Sequence, residues 1–224
     1  MRKQVSEKTL ELNISAELLQ VIRNFPGCDK AFWIGMKQDQ EARSGIDELL
    51  QNVPRGYHIG LQFKSPKALP PNIPPYRFTI NDRQHSNLLR LAQRKPQSVY
   101  YIFPHFNTLS HIRASSPMLL AGTWAVRVFD LSSLPASTNS AGTHTVVSED
   151  GRISVHSDPI QVSALDPKTM LNEIYGNRDN WDERLLGHEA IKNWIGDLYR
   201  ILDRNTYALG QLLRRFSTIC VGRE

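Results

Sequence analysis

The stretch SGIDELLQNVPRGYHIGLQFKSP, residues 44 to 66, decides how this chain is read. Ile46, Leu49 and Leu50 flank Asp47, NVPRG at 52 to 56 is a turn signal, and HIGLQFKS at 58 to 65 alternates in polarity. Together they predict a β-hairpin. Side chains alternate across a strand, so Ile59, Leu61 and Phe63 share one face and Gly60, Gln62 and Lys64 the other. The first set needs a core. The second sets an amide oxygen beside an ammonium group, an arrangement that packing alone does not require.

Beyond the hairpin, SPKALPPNIPPY (65 to 76) holds five prolines and predicts a semi-rigid loop leading into the strand RFTIN. Asn81 and Gln84 form a helix-start signature, and DRQHSNLLRLAQRK continues it with Leu88, Leu91 and Ala92 on one side. SVYYIFPHF (98 to 106) is almost continuously apolar and β-forming, as suits a buried central strand. The strand, helix, strand succession over 77 to 106 predicts a βαβ crossover. TWAVRVFDL (123 to 131) predicts another strand, and HTVVSEDGRISVHS a hairpin turning at Asp150 and Gly151.

Upstream, NISAELLQVIRNF (13 to 25) predicts a helix with Leu18, Leu19 and Ile22 inward and Ser15 as N-cap. Phe32 to Met36 predicts a short strand, and the polar residues after it a loop. From about 167 the pattern is helical, with one stripe at Ile191, Trp194, Ile195, Leu198 and Leu202 and another at Leu209, Leu212 and Leu213. This is the pattern of an α/β chain with a mixed sheet, divided into a core over 1–166 and a helical extension over 167–224.

With 224 residues, 40% of them apolar and 22% charged, the chain can bury a substantial core and is not compositionally disordered. Cys28 and Cys220 lie near opposite ends, and no CxxC or Cys/His ligand spacing is present, which argues against structural zinc. The N-terminus has no continuous apolar segment that would serve as a signal or a membrane span, so the cytoplasm is the expected location. The net charge of +5 suits a polyanionic partner.

Gly45-Ile46-Asp47, a turn, and then Gln62-Phe63-Lys64 resemble the metal-binding core of the PD-(D/E)XK nuclease superfamily, in the QxK form of the Mrr-like restriction enzymes. The resemblance implies a restriction-endonuclease-like fold over the core and a DNA endonuclease of a prokaryotic defence or processing system. It implies that Asp47 is the main ligand of Mg²⁺ or Mn²⁺ and that Gln62 places its carbonyl oxygen, or the neighbouring Phe63 carbonyl, against the same ion. Lys64 would orient or deprotonate the attacking water, or hold a phosphate oxygen. Phosphodiester hydrolysis needs such a set, because a hard cation held by one or two carboxylates supplies both the neutralising charge and the nucleophile.

A glutamate from the first helix is also usual in that superfamily. Glu41 is favoured here by its nearness to Asp47, with Glu17 on the predicted helix as the alternative. Arg55, Lys67, Arg83 and Gln84 are candidate nucleic-acid contacts. Plainer readings stand beside these. Gln62 and Lys64 could be the solvated face of an edge strand, Asp47 a turn residue, and Gln84 a capping-box partner of Asn81. His58, His105 and His111 complete the candidates, the last two at the end of the central strand. The C-terminal helices suit packing on the core or on a second copy of the chain.

Overall fold

The computed structural model describes residues 5–25, 27–53, 58–67, 74–116, 118–149, 151–155 and 160–175. It builds a five-stranded sheet and a four-stranded one. The large sheet comprises β1 (Phe32–Gly35), β2 (Glu48–Gln51), β3 (Gly60–Phe63), β5 (Val99–Pro104) and β6 (Thr123–Arg127), in the order β1-β2-β3-β5-β6. All its pairings are antiparallel except β3 with β5. The small sheet is antiparallel throughout, in the order β4 (Tyr76–Asn81), β7 (Thr143–Glu149), β8 (Arg152–Val155), β9 (Ile160–Ser163).

The predicted hairpin forms, and its parity is as read. Leu61 and Phe63 enter a core with Leu10, Ile14, Leu18 and Ile22 of α1 (Glu7–Ile22) and with Met170, Leu171 and Ile174 of α5 (Pro167–Tyr175). The opposite face of the large sheet packs against Leu88, Leu91 and Ala92 of α3 (Asp82–Ala92) and against Phe78, Val146 and Ile153 of the small sheet. β5 feeds both cores. Its six residues are all buried, Tyr100 and Ile102 toward α1 and Tyr101 and Phe103 toward α3, as a central strand with two covered faces requires.

Several expectations need correction. The crossover over 77 to 106 is not a local βαβ unit. β4 pairs with β7 in the small sheet, and the parallel partner of β5 is β3, so the connection runs from β3 through β4 and α3. Between β3 and α3 the chain thus visits the small sheet as β4. The polar stretch expected as a loop forms α2 (Gln38–Ser44), because Lys37 N–H is capped by Gln40 Oε1 and Gly45 closes the C-terminus in the left-handed region, at φ 78°. α1 begins at Glu7 with Ser6 as N-cap, and Ser15 lies buried in its middle. β6 stops at Arg127, where Val128–Leu131 form a 3₁₀ turn. A further short helix, α4 (Leu109–Ser115), follows β5. The stripes at 191–202 and 209–213 fall outside the described residues.

Gly45 is demanded by the turn that launches Asp47 into β2. A Cβ there would lie 2.9 Å from Leu88 Cγ, on a backbone that L side chains avoid. Gly45→Ala should lower stability by about 1–3 kcal/mol in urea denaturation. Gly35→Ala, with nothing within 4 Å of its new methyl group, should stay within about 0.5 kcal/mol of the parent.

Candidate functional site

At the end of the hairpin the antiparallel ladder runs out, because the chain turns away into α2. Asp47 N–H still donates to Leu61 O at 2.8 Å, while Asp47 O is taken by Met36 N–H at 2.8 Å. The next donor on β3, Phe63 N–H, therefore finds the Asp47 carboxylate instead, with Oδ2 at 2.6 Å. Gln62 Nε2 donates to the same Oδ2 at 2.8 Å and to Phe63 O at 2.9 Å. Asp47 Oδ2 and the Phe63 carbonyl thus converge on one point.

From there a chain of hydrogen bonds runs to the lysine. Gln62 Oε1 accepts from Gln84 Nε2 at 2.8 Å, and Gln84 Oε1 accepts from Lys64 Nζ at 2.5 Å. Lys64 is only 8% exposed, with its ammonium 5.9 Å from the centroid of the Tyr101 ring. Asp47, Gln62 and Lys64 are therefore brought together and buried, unlike the solvated face of an edge strand. Gln84 sits on the first turn of α3, where its N–H is capped by Asn81 Oδ1 at 3.2 Å. Its side chain reaches into the site rather than back to the cap.

Glu7 is the residue that the sequence reading missed. It lies in the first turn of α1, where its carboxylate accepts from Ser65 N–H at 2.8 Å, and it is an electrostatic neighbour of Lys64 and Asp47. The buried repeat Leu10, Ile14, Leu18, Ile22 carries the helix back far enough to include it. Glu41 of α2 contributes charge, acting on Asp47, Glu7 and Lys64. Glu17 is elsewhere, accepting from Leu120 N–H at 3.2 Å.

Burial dominates the electrostatics. Desolvation raises the Asp47 carboxyl to about 8, helped by the charges of Glu41 and Glu7 and opposed by the Phe63 N–H bond and by Lys64. Desolvation also raises Glu7, against Lys64 and the Ser65 N–H, and it lowers Lys64, against Glu7, Asp47 and Glu41. Burial thus opposes the charge on all three groups, and the Lys64 ammonium is the positive charge acting on both Asp47 and Glu7.

Among the described residues no three His, Cys, Asp or Glu side chains lie close enough together to form a metal cage. What the site does present is one carboxylate oxygen and one carbonyl oxygen, with the Gln62 amide turned nitrogen-first between them. Only with that amide inverted would three oxygens face one point, the kind of set that a hard cation such as Mg²⁺ or Mn²⁺ takes.

The other candidates are dispersed. Lys67 is exposed and engages Arg77 O through its own backbone N–H, Arg83 is exposed on the first turn of α3, and Arg55 lies outside the described residues. His58 Nδ1 lies 3.3 Å from Leu50 O within the hairpin. His105 is stacked on Tyr76 at 4.2 Å and bonded to Ser148 Oγ at 2.8 Å, with burial pushing it down to about 4. With His111, Trp124 and Met118 it lines a groove of about 570 Å³, which none of Asp47, Gln62 and Lys64 borders. No helix among the described residues is long and apolar enough to cross a membrane. No family model, curated protein or solved structure matches the chain.

The raised Asp47 carboxyl has a measurable consequence. A carboxyl whose folded pKa lies above its unfolded value stabilises fully below about pH 4, and that contribution is lost as pH rises toward 8. Asp47→Asn removes this dependence. In metal-free denaturation, the stability of the variant relative to the parent should climb between pH 4 and pH 8 and then level off. A constant difference across that window would contradict the buried, protonated carboxyl.

Proposed function

We propose that the chain is a metal-dependent phosphodiesterase that cleaves DNA, with Asp47, Gln62, Lys64 and Glu7 as its centre. The observation that carries this reading is the continuous hydrogen-bond chain at the end of the hairpin that joins a buried carboxylate, through two amides, to an ammonium group. Packing alone does not call for such a gathering. The resemblance of GxD and QxK to the PD-(D/E)XK nucleases supports the same reading. So does the element order, in which a hairpin is followed by a strand parallel to its second arm. A role in prokaryotic defence belongs to that resemblance alone.

Asp47 Oδ2, the Phe63 carbonyl and the Gln62 amide oxygen would hold Mg²⁺ or Mn²⁺, with Glu7 and Glu41 adding negative charge around them. When bound, the cation supplies a Lewis acid and a water of lowered pKa. Lys64, an ammonium held by Gln84 at the other end of the same hydrogen-bond chain, would bind a phosphate oxygen or orient the attacking water. Because burial already favours its neutral form, it is suited to take a proton from that water. Arg83, exposed on the same helical turn as Gln84, would serve as a contact to the nucleic-acid backbone.

A second reading, a nuclease-like module without catalysis, is favoured by one detail: Gln62 turns its nitrogen, not its oxygen, toward Asp47. The two readings separate on two measurements. For the enzyme, Lys64→Ala and Asp47→Ala should each reduce Mg²⁺-dependent cleavage of DNA by about 100-fold or more while circular dichroism stays unchanged. Mn²⁺ should bind the parent in calorimetry and not Asp47→Ala. Cleavage undiminished in Lys64→Ala would refute the assigned role. Absence of Mn²⁺ binding in the parent would favour the module.

A further inference from the structure

The direction of the hydrogen-bond chain is not arbitrary. An ammonium group only donates, so Gln84 must meet Lys64 with Oε1 and turn Nε2 toward Gln62. Gln62 must then receive that donor with Oε1, which leaves its own Nε2 facing Asp47 Oδ2 and Phe63 O. Both of these are acceptors. The two amide orientations are thus fixed from both ends, by the ammonium at one and by these two acceptors at the other. The outcome is that an N–H₂ group, which cannot ligate a metal, stands at the point where two oxygens converge.

We propose that Gln84 is a positioning residue that couples cation loading to the release of Lys64, through inversion of the Gln62 and Gln84 amides. The proposal rests on the metal-dependent reading above and goes beyond it by assigning how the site changes state. For Gln62 to offer its oxygen beside Asp47, its amide must turn over, so that its nitrogen faces Gln84. Gln84 can meet that nitrogen only with its oxygen. Its own nitrogen then opposes the Lys64 ammonium, donor against donor, and the ammonium has to leave.

Besides Asp47, Glu7 and Glu41 are the acidic charges that act on the Lys64 ammonium, and Glu7 is held by the N–H of Ser65, the residue after Lys64. Lys64 is therefore tied up while the cation is out and available to a phosphate or a water once it is in. The lysine and the cation, both positive, do not compete for one oxygen set, because the two amides allot them different partners. Neither amide could be replaced by a carboxylate without losing this property, since a carboxylate accepts on both sides and transmits no orientation.

The test is Mn²⁺ calorimetry on the full chain without nucleic acid, comparing the parent, Gln84→Leu, Lys64→Met and the double variant. Gln84→Leu removes one of the three bonds that hold Gln62 nitrogen-first, the one that must be remade on inversion, so it should bind Mn²⁺ about tenfold more tightly than the parent, roughly 1.4 kcal/mol. Lys64→Met should also bind more tightly, through lost repulsion and lost tether together. In the Gln84→Leu background only the repulsion remains, so the effect of Lys64→Met should shrink by about tenfold. A Gln84 that merely packs gives unchanged or weaker binding and independent effects, and either result overturns the proposal. Gln84→Met serves the same comparison where leucine disturbs the first turn of α3. If no variant, the parent included, binds Mn²⁺, the metal-dependent reading falls and takes the coupling with it. If the parent binds and Gln84→Leu matches it, only the coupling falls.

Discussion

The bond from Phe63 N–H to Asp47 Oδ2 is the contact on which the rest of the site depends. It lies where the β2–β3 ladder has run out of backbone acceptors, and a side-chain carboxylate supplies the one that is missing. That substitution holds Asp47 inward, in a place where burial opposes its charge, and brings it beside the Gln62 and Lys64 face of β3. A glycine in the left-handed region at position 45 is needed for the chain to arrive there, and Ile46 fills the space above Gly60, where a Cβ would come within 2.7 Å of its Cδ1. The spacing of GID before QFK is thus a requirement of geometry before it is one of chemistry.

Gln84 owes its position to the detour through the small sheet. The chain leaves β3 at Lys64, pairs as β4 with β7, and comes back with the first turn of α3 over the end of the hairpin. Asp82, at the start of that turn, accepts from Ser137 N–H at 2.8 Å and pairs with His144 at 2.7 Å. One residue past Gln84, His85 reaches Tyr101 Oη and Leu131 O, each at 3.1 Å. A carbonyl only accepts, so His85 Nε2 carries the hydrogen and Nδ1 receives the tyrosine hydroxyl. Tyr101 is thereby fixed with its ring facing the Lys64 ammonium, which favours the charged form of a lysine that burial works against.

The hairpin, the central strand and the face shared by Gln62 and Lys64 were legible because each rests on local alternation in a short segment. β5 could be recognised from its uninterrupted apolar run, since only a strand covered on both sides tolerates one. The partner of β5 could not, because order along the chain gives no sign that β4 belongs to another sheet. α2 was hidden by its polarity: it is held by its caps rather than by an apolar stripe. Glu7 was lost when the helix was started at residue 13, although the repeat from Leu10 to Ile22 pointed further back. Gln84 reads from the sequence both as a helix-start residue and as a candidate nucleic-acid contact, but its reach to Gln62 and Lys64 depends on a tertiary approach that no local pattern encodes.

Asp47 and Glu48 are consecutive, and their strand sends them to opposite faces of the large sheet. Both are buried, and desolvation lifts Glu48 as well, to about 7, against the Ser15 hydroxyl that donates to it. Ser15 also accepts the Trp33 indole N–H through its carbonyl at 3.0 Å, so this point of α1 is fastened to both β1 and β2. Glu7, Glu11 and Ser15 are spaced four residues apart and form one polar stripe along the helix. Eight residues of helix span about 12 Å, so the Ser15 to Glu48 contact sets how far the first turn of α1 extends past the end of the sheet. It therefore sets where Glu7 stands against Ser65 and Lys64. A buried acid on the structural face of β2 fixes the position of an acid on the functional side, and the two faces of one strand are joined through the helix that packs on it.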